Sequence, residues 1–293
     1  MWASLFRAEW KKIVGNRRAT GGLMWIFPAL AILATVLGLL AAAFSSSFRD
    51  GLGNEPLKWT ETAILPWLIP NNPLGRALLL GFTAVLFAGE YQWDTWKSIV
   101  PRSRRVPLIV AKFAAVAVFV VFAFILMSTL LTMGMGLVSS AAGASYGPAL
   151  SGQELASFSE DYGLQMLYAF VNTMIAAGFV ALSAMITRSI LATVVTSFFI
   201  ALGETLLLFP LYLVSALLNT PWILHVYRFL PSYNLLSLFA WLQGGPPDGL
   251  EMPSGELVVD GAVFSEVVLL CWVIGLIAMT AYLFHRQLSL IHI

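Results

Sequence analysis

Six stretches of this sequence are apolar over lengths that the core of a soluble domain does not require. Residues 23–44, 108–138, 164–187, 190–218 and 262–284 each run for more than 20 positions with few charges. In a helix, about 20 apolar residues cross the ~30 Å hydrocarbon core of a bilayer. The sixth, residues 69–89, is less uniform: Pro70-Asn71-Asn72-Pro73 interrupts its start, and Arg76 follows just inside. Only 11% of the chain is charged, against about 25% in soluble domains. The fold class that follows is an all-α integral membrane protein of six spans, organised as a single transmembrane domain over residues 1–293.

The first apolar block also admits a reading as a signal peptide, with Ala41-Ala42-Ala43 as cleavage site. Its 22 residues exceed the apolar core of a signal, about 7–15 residues, and favour a retained span. Orientation follows from counting cations. With the N-terminus inside, Arg7, Lys11, Lys12, Arg17, Arg18, Lys97, Arg102, Arg104, Arg105, Lys112, Arg188 and Arg286 are cytoplasmic, twelve of the sixteen Lys and Arg. Arg49, Lys58 and Arg228 lie outside, so the positive-inside rule places both termini on the cytoplasmic side of a plasma membrane. Polar loops are expected at residues 45–66 and 139–163. Residues 219–261 read as an external region whose short helices dip to the interface, since its apolar piece 235–242 is too short to cross.

Two amphipathic segments stand out from the spans. In residues 2–18, Trp2, Leu5, Phe6, Trp10, Ile13 and Val14 take one side of a helix, and Arg7, Lys11, Lys12, Arg17 and Arg18 decorate the rest. That is the pattern of a helix lying in the membrane plane on anionic lipid. The second segment is the polar island 90–105. Read as a helix, it puts Trp93, Trp96 and Val100 on one face and Glu90, Asp94 and Lys97 on another. Pro101 stops it, and Arg102, Arg104 and Arg105 follow. Two readings stay open: a surface helix that touches a soluble partner, and an ordinary loop whose arginines set topology.

Within the spans, Glu204 is the one acid well inside, and a charge there is costly unless paired or protonated. It reads as a translocation-pathway residue or as a neutral acid bonded within the bundle. Arg76 reads as a pathway residue or as one that snorkels to the headgroups. Asn172 and Thr173 suit hydrogen bonds between helices, and Pro210 should kink the fifth span. His225, His285 and His292 lack metal-ligand spacing, and the lone Cys271 excludes a cysteine cluster. The basic patches suit lipid and topology and give no reason to expect nucleic acid.

The order of these parts resembles the ABC-2 type permease family, the membrane subunits of many bacterial ABC exporters. The local match is Gly89-Glu90-Tyr91-Gln92-Trp93-Asp94-Thr95-Trp96-Lys97, then Pro101-Arg102-Ser103-Arg104-Arg105 and Ala111-Lys112 opening the next span. Asp94 stands where glycine is frequent in the family. The resemblance implies that residues 2–18, with Trp2, Phe6, Trp10, Lys11 and Lys12, are an elbow helix. It also implies that residues 90–105 are a coupling helix, with Glu90, Trp93, Asp94, Thr95, Trp96, Lys97, Arg102 and Arg104 meeting an ATPase. Two permeases, identical or paralogous, would pair on two ATP-binding subunits. No Gly-x-x-x-x-Gly-Lys-Ser/Thr occurs in the chain, so ATP and Mg would belong to the partner and this chain would carry no cofactor and no catalytic residue. An ion-coupled secondary transporter using Glu204, and a non-transporting scaffold or assembly subunit, remain the alternatives.

Overall fold

A computed structural model describes residues 2–17, 20–92, 105–252 and 255–289. The chain is helical nearly throughout: α1 (Trp2–Gly15), α2 (Ile26–Phe44), α3 (Ser46–Asn54), α4 (Trp59–Ile64), α5 (Pro73–Gln92), α6 (Arg105–Ala142), α7 (Gly152–Thr187), α8 (Ile190–Leu206), α9 (Leu208–Leu218), α10 (Pro231–Leu242) and α11 (Ala262–Ser289). Three-ten helices cover Leu65–Asn71 and Pro221–Phe229, and Leu250–Glu251 (β1) pairs antiparallel with Leu257–Val258 (β2). Five helices among the described residues are long and apolar enough to cross a membrane. The number becomes six if α8 and α9, bent by 52° at their junction, form one span.

The bend has a local cause. Pro210 has no N–H to give the carbonyl four residues earlier, and its ring clashes there, so the helix breaks between Leu206 and Leu208. Elsewhere the helices outrun the apolar blocks. The loop expected over residues 139–163 shrinks to 143–151, because α6 continues to Ala142 and α7 starts at Gly152. Ser151 Oγ accepts from the Glu154 N–H at 3.1 Å, and the polar stretch after it holds no proline, so acids near a helix N-terminus extend the helix rather than ending it. The loop expected over 45–66 holds α3 and α4. Ser45 Oγ caps α3 by accepting from Phe48 N–H at 3.2 Å, and Arg49 closes α2 by donating to Ala42 O at 2.7 Å. The Pro70–Pro73 interruption separates a three-ten helix from α5, whose first turn is capped by Asn72 Oδ1 accepting from Leu74 N–H at 3.0 Å.

The described chain forms two compact units, interleaved in sequence. One comprises Phe6–Phe82 and Ala114–Phe170. Its core is aromatic: Phe27 and Trp67 both meet Phe124, at 5.2 and 5.6 Å between ring centroids, and Trp67 stands edge-on to Tyr162 at 5.8 Å. Helices α2 and α6 approach so closely that a Cβ on Gly134 would fall 1.8 Å from Thr35 Oγ1. The amphipathic α1 turns Trp10 onto Phe119 at 5.6 Å and buries Ile13, while Lys11 and Trp2 stay exposed. Phe6 stacks on Trp10, and Glu9 is buried and bridges to Lys12.

The other unit comprises Met1–Leu5, Thr83–Phe113 and Val171–Ile293. Here Gly178 lets α7 and α11 touch, since a Cβ on it would meet Leu276 Cβ at 2.7 Å. Among the described residues of 219–261 the longest helix is α10, whose 12 residues reach about 18 Å at 1.5 Å each.

Candidate functional site

Of the residues in the polar island, the described part ends with Glu90, Tyr91 and Gln92, and resumes at Arg105. Trp93, Asp94, Thr95, Trp96, Lys97, Arg102 and Arg104 lie outside the described residues. What the structure defines is the base from which that segment leaves α5 and re-enters α6. Glu90 is 7% exposed, and its carboxylate sits 2.8 Å from Lys112 Nζ, itself 2% exposed. Lys112 also donates to the Leu86 carbonyl at 2.9 Å and lies over the Phe87 ring at 5.4 Å from its centroid. Glu90, expected on one helix face with Asp94 and Lys97, is thus buried against α6, while Asp94 and Lys97 lie outside the described residues. An ion pair without access to water needs close geometry and extra hydrogen bonds, and Lys112 has both. Glu90 therefore holds the ends of α5 and α6 together.

A second polar contact lies one residue on. The Tyr91 hydroxyl is 3.2 Å from Gln287 Oε1 and 2.9 Å from Met185 Sδ, while Gln287 Nε2 donates to Met185 O at 2.7 Å. The ends of α5, α7 and α11 are thus bound to one another beside the segment. Sequence reasoning passed over Gln287 and Tyr91, because single polar residues at helix ends give no periodic signal. Lys112 was counted only among the cytoplasmic cations; its place seven residues into an apolar helix is the signal that asks for a counter-ion.

At the other end of this unit the region between α9 and α11 is pinned by charge. Asp260, 5% exposed, accepts from Arg228 Nε at 2.8 Å and from Arg228 Nη2, and from the Tyr233 hydroxyl at 3.0 Å. The Arg228 hydrogen bonds hold the Asp260 carboxyl below the usual carboxylate range. Arg228 is raised, chiefly by the same bond. Burial first, then the bond to Asp260, pushes the Tyr233 phenol up to about 12. Trp241 Nε1 adds a bond to Asp260 O at 2.9 Å.

Glu204 falls at the end of α8, 8% exposed, and its Oε1 accepts from the Ser232 N–H at 2.5 Å. Ser232 is the second residue of α10, so the carboxylate sits on the positive end of that helix dipole. The environment explains how an acid is accommodated there. Asn172 and Thr173 are buried in α7, at 5% exposure each. Arg76 is half-buried in the first turns of α5, within electrostatic range of Tyr168. The structure assigns Arg76 to one unit and Glu204 and Asn172 to the other. Pro210 stands at the α8–α9 break. Among the described residues, no group of three His, Cys, Asp or Glu side chains is placed to hold a metal ion.

A model of the family described as ABC-2 family transporter protein matches residues 5–203. The match runs from α1 to the last turn of α8, about two thirds of the chain, and includes the Glu90–Lys112 base and the whole polar island. No curated protein matches the sequence. With several apolar spans, a mostly helical fold and a family match over most of its length, the chain belongs to the ABC-2 transporter family of membrane proteins.

Proposed function

We propose that this chain is the permease subunit of an ATP-driven exporter, and that residues 90–105 receive the movement of a separate ATP-binding subunit. The observation that supports this most is the buried Glu90–Lys112 pair, at the root of the segment and inside the family match. A lever transmits force only if its ends are fixed to the parts it moves. The pair joins α5 to α6, and Tyr91 and Gln287 carry the connection to α7 and α11. Closure of the ATPases on nucleotide then biases a bundle with two arrangements, which is coupling in the thermodynamic sense. Trp93, Trp96, Lys97, Arg102 and Arg104 supply the partner contacts.

In this reading two permeases, identical or paralogous, sit on two ATP-binding subunits in the plasma membrane. Both termini are cytoplasmic, α1 is the elbow helix at the lipid surface, and ATP and Mg are bound by the partner. Glu204 is a helix-capping acid rather than a coupling carboxylate, which weighs against the ion-coupled alternative. The test is co-expression with a candidate ATP-binding subunit. Stoichiometric copurification, and ATPase stimulation that Arg102→Glu abolishes without loss of membrane insertion, support the reading. Stimulation unchanged in that variant refutes the coupling assignment. Arg102 is the informative position, since reversing Glu90 would also place two cations together out of water.

A further inference from the structure

Between α1 and α2 the chain makes one π-helical turn, Thr20–Met24. Thr20 N–H bonds four residues back to Asn16 O at 2.9 Å, whereas Trp25 N–H reaches five back to Thr20 O at 2.9 Å. By Ala29 N–H, which bonds to Trp25 O at 3.1 Å, the spacing is four again. The turn therefore holds one residue more than an α-helix would. Such turns are rare, and they are frequent at functional sites.

Two residues of the turn are Gly21 and Gly22. Neither has a positive φ, and neither has an atom within 4 Å of where a Cβ would stand. Left-handed backbone and close packing therefore give no reason for glycine here. Each glycine weakens a helix about fourfold to fivefold relative to alanine. What the pair supplies is a low cost of changing φ and ψ.

The surroundings of the turn are well defined. Thr20 and Met24 are buried, and the Thr20 hydroxyl donates to Ile13 O, tying the turn to the end of α1. Ile13 is 2% exposed, and Trp10 stands on Phe119. If the extra residue leaves the turn, Trp25 N–H passes from Thr20 O to Gly21 O, and the helix before it shifts by one residue. One residue of α-helix is about 100° of rotation and 1.5 Å of rise. That rotation would carry Ile13 and Trp10 away from the core.

We infer that Thr20–Met24 is a register switch: exchange between π and α geometry rotates α1 against α2 and moves Ile13 between a buried and an exposed position. The switch stands on the backbone alone; that an ATPase drives it rests on the exporter reading.

Cys271 is the only cysteine, so Ile13→Cys in a Cys271→Ser chain carries one thiol, buried until α1 turns. Cysteine is itself a small hydrophobe, which keeps the position apolar. The purified full chain in dodecyl maltoside micelles is treated with N-ethylmaleimide at concentrations where the rate no longer rises with reagent and equals the rate of opening. Gly21→Ala with Gly22→Ala should slow that rate at least about tenfold, since each alanine resists leaving helical geometry about fourfold. The same alanines should leave the midpoint of unfolding by sodium dodecyl sulfate at or above the parent value. Val14→Cys, at a position 51% exposed, should react at one rate with either turn. No reaction at position 13, a rate that the alanines leave unchanged, equal slowing at position 14, or a lowered midpoint overturns the switch. Stimulation of the co-purified ATP-binding subunit should fall with the alanines. Unchanged stimulation alongside a slowed rate at position 13 overturns the link to the ATPase. Absence of stimulation in the parent refutes the exporter reading and leaves the switch standing on the alkylation rates.

Discussion

Replacing Glu90 by glutamine keeps its shape and removes only the charge, and the structure sets the consequence. The Lys112 ammonium would remain at 2% exposure, keeping the carbonyl at 2.9 Å and the aromatic face at 5.4 Å but losing the carboxylate of Glu90. Taking one partner from a buried pair costs about 3–5 kcal/mol, because the other charge is stranded. Lys112→Met should cost a similar amount by stranding the carboxylate. Replacing both, Glu90→Gln with Lys112→Met, leaves no buried charge and should bring stability back to within about 1 kcal/mol of the parent. The assay is reversible unfolding of the purified chain in mixed micelles with rising sodium dodecyl sulfate, followed by circular dichroism. The double variant should be more stable than either single variant by at least about 2 kcal/mol. Single variants within about 0.5 kcal/mol of the parent, or effects that add, would refute the pair as the fixed base of the segment.

Other expectations follow from equally specific contacts. Gly134→Ala and Gly178→Ala should each lose about 1–3 kcal/mol by overpacking, since their methyl groups would fall 1.8 Å from Thr35 Oγ1 and 2.7 Å from Leu276 Cβ. Gly203→Ala, with nothing within 4 Å, should stay within about 0.5 kcal/mol in the same unfolding assay; equal losses at all three would contradict the helix approaches. Asp260→Asn should open residues 219–261 to protease at neutral pH, a loss of about 1.5–3 kcal/mol for a charge-assisted bond. Because the folded Asp260 carboxyl is lowered from 3.8, its contribution is complete above that value and fades as pH falls below it. Tyr233, raised from 10.0 to about 12, contributes fully below pH 10 and loses that contribution as pH rises toward 12. Protection that varies between pH 5 and 8 in the parent but not in Asp260→Asn would count against this pairing. Glu204→Gln should lower stability by no more than about 2 kcal/mol, the scale of a charge at a helix terminus, and leave transport intact. Loss of transport with stability unchanged would return Glu204 to the pathway.

The apolar blocks were legible because hydropathy over some 20 residues is a sum, and a sum survives errors at single positions. The residue that bends the fifth span was legible too, since proline acts on its own backbone. Helix ends were not. Residues 152–163 look like loop by polarity, yet Ser151 and the acids after it stabilise a helix start. Single contacts were legible at most as questions: Glu204 was conspicuous as a charge in apolar surroundings and Lys112 was counted only as a cytoplasmic cation, and their partners, the Ser232 N–H and Glu90, lie 28 and 22 residues away. Pairings of that kind depend on how helices pack, which no local pattern encodes. The Arg228–Asp260 bond, 32 residues apart, was missed for the same reason.

The central claim is that residues 90–105 meet an ATP-driven partner on the cytoplasmic side. A photo-crosslinking amino acid placed at Trp96 in membranes carrying the ATP-binding subunit reads this directly. The account predicts an adduct with that subunit whose yield changes between ATP and nucleotide-free conditions. An adduct formed only with proteins of the outer face, or none under any nucleotide condition, would contradict it.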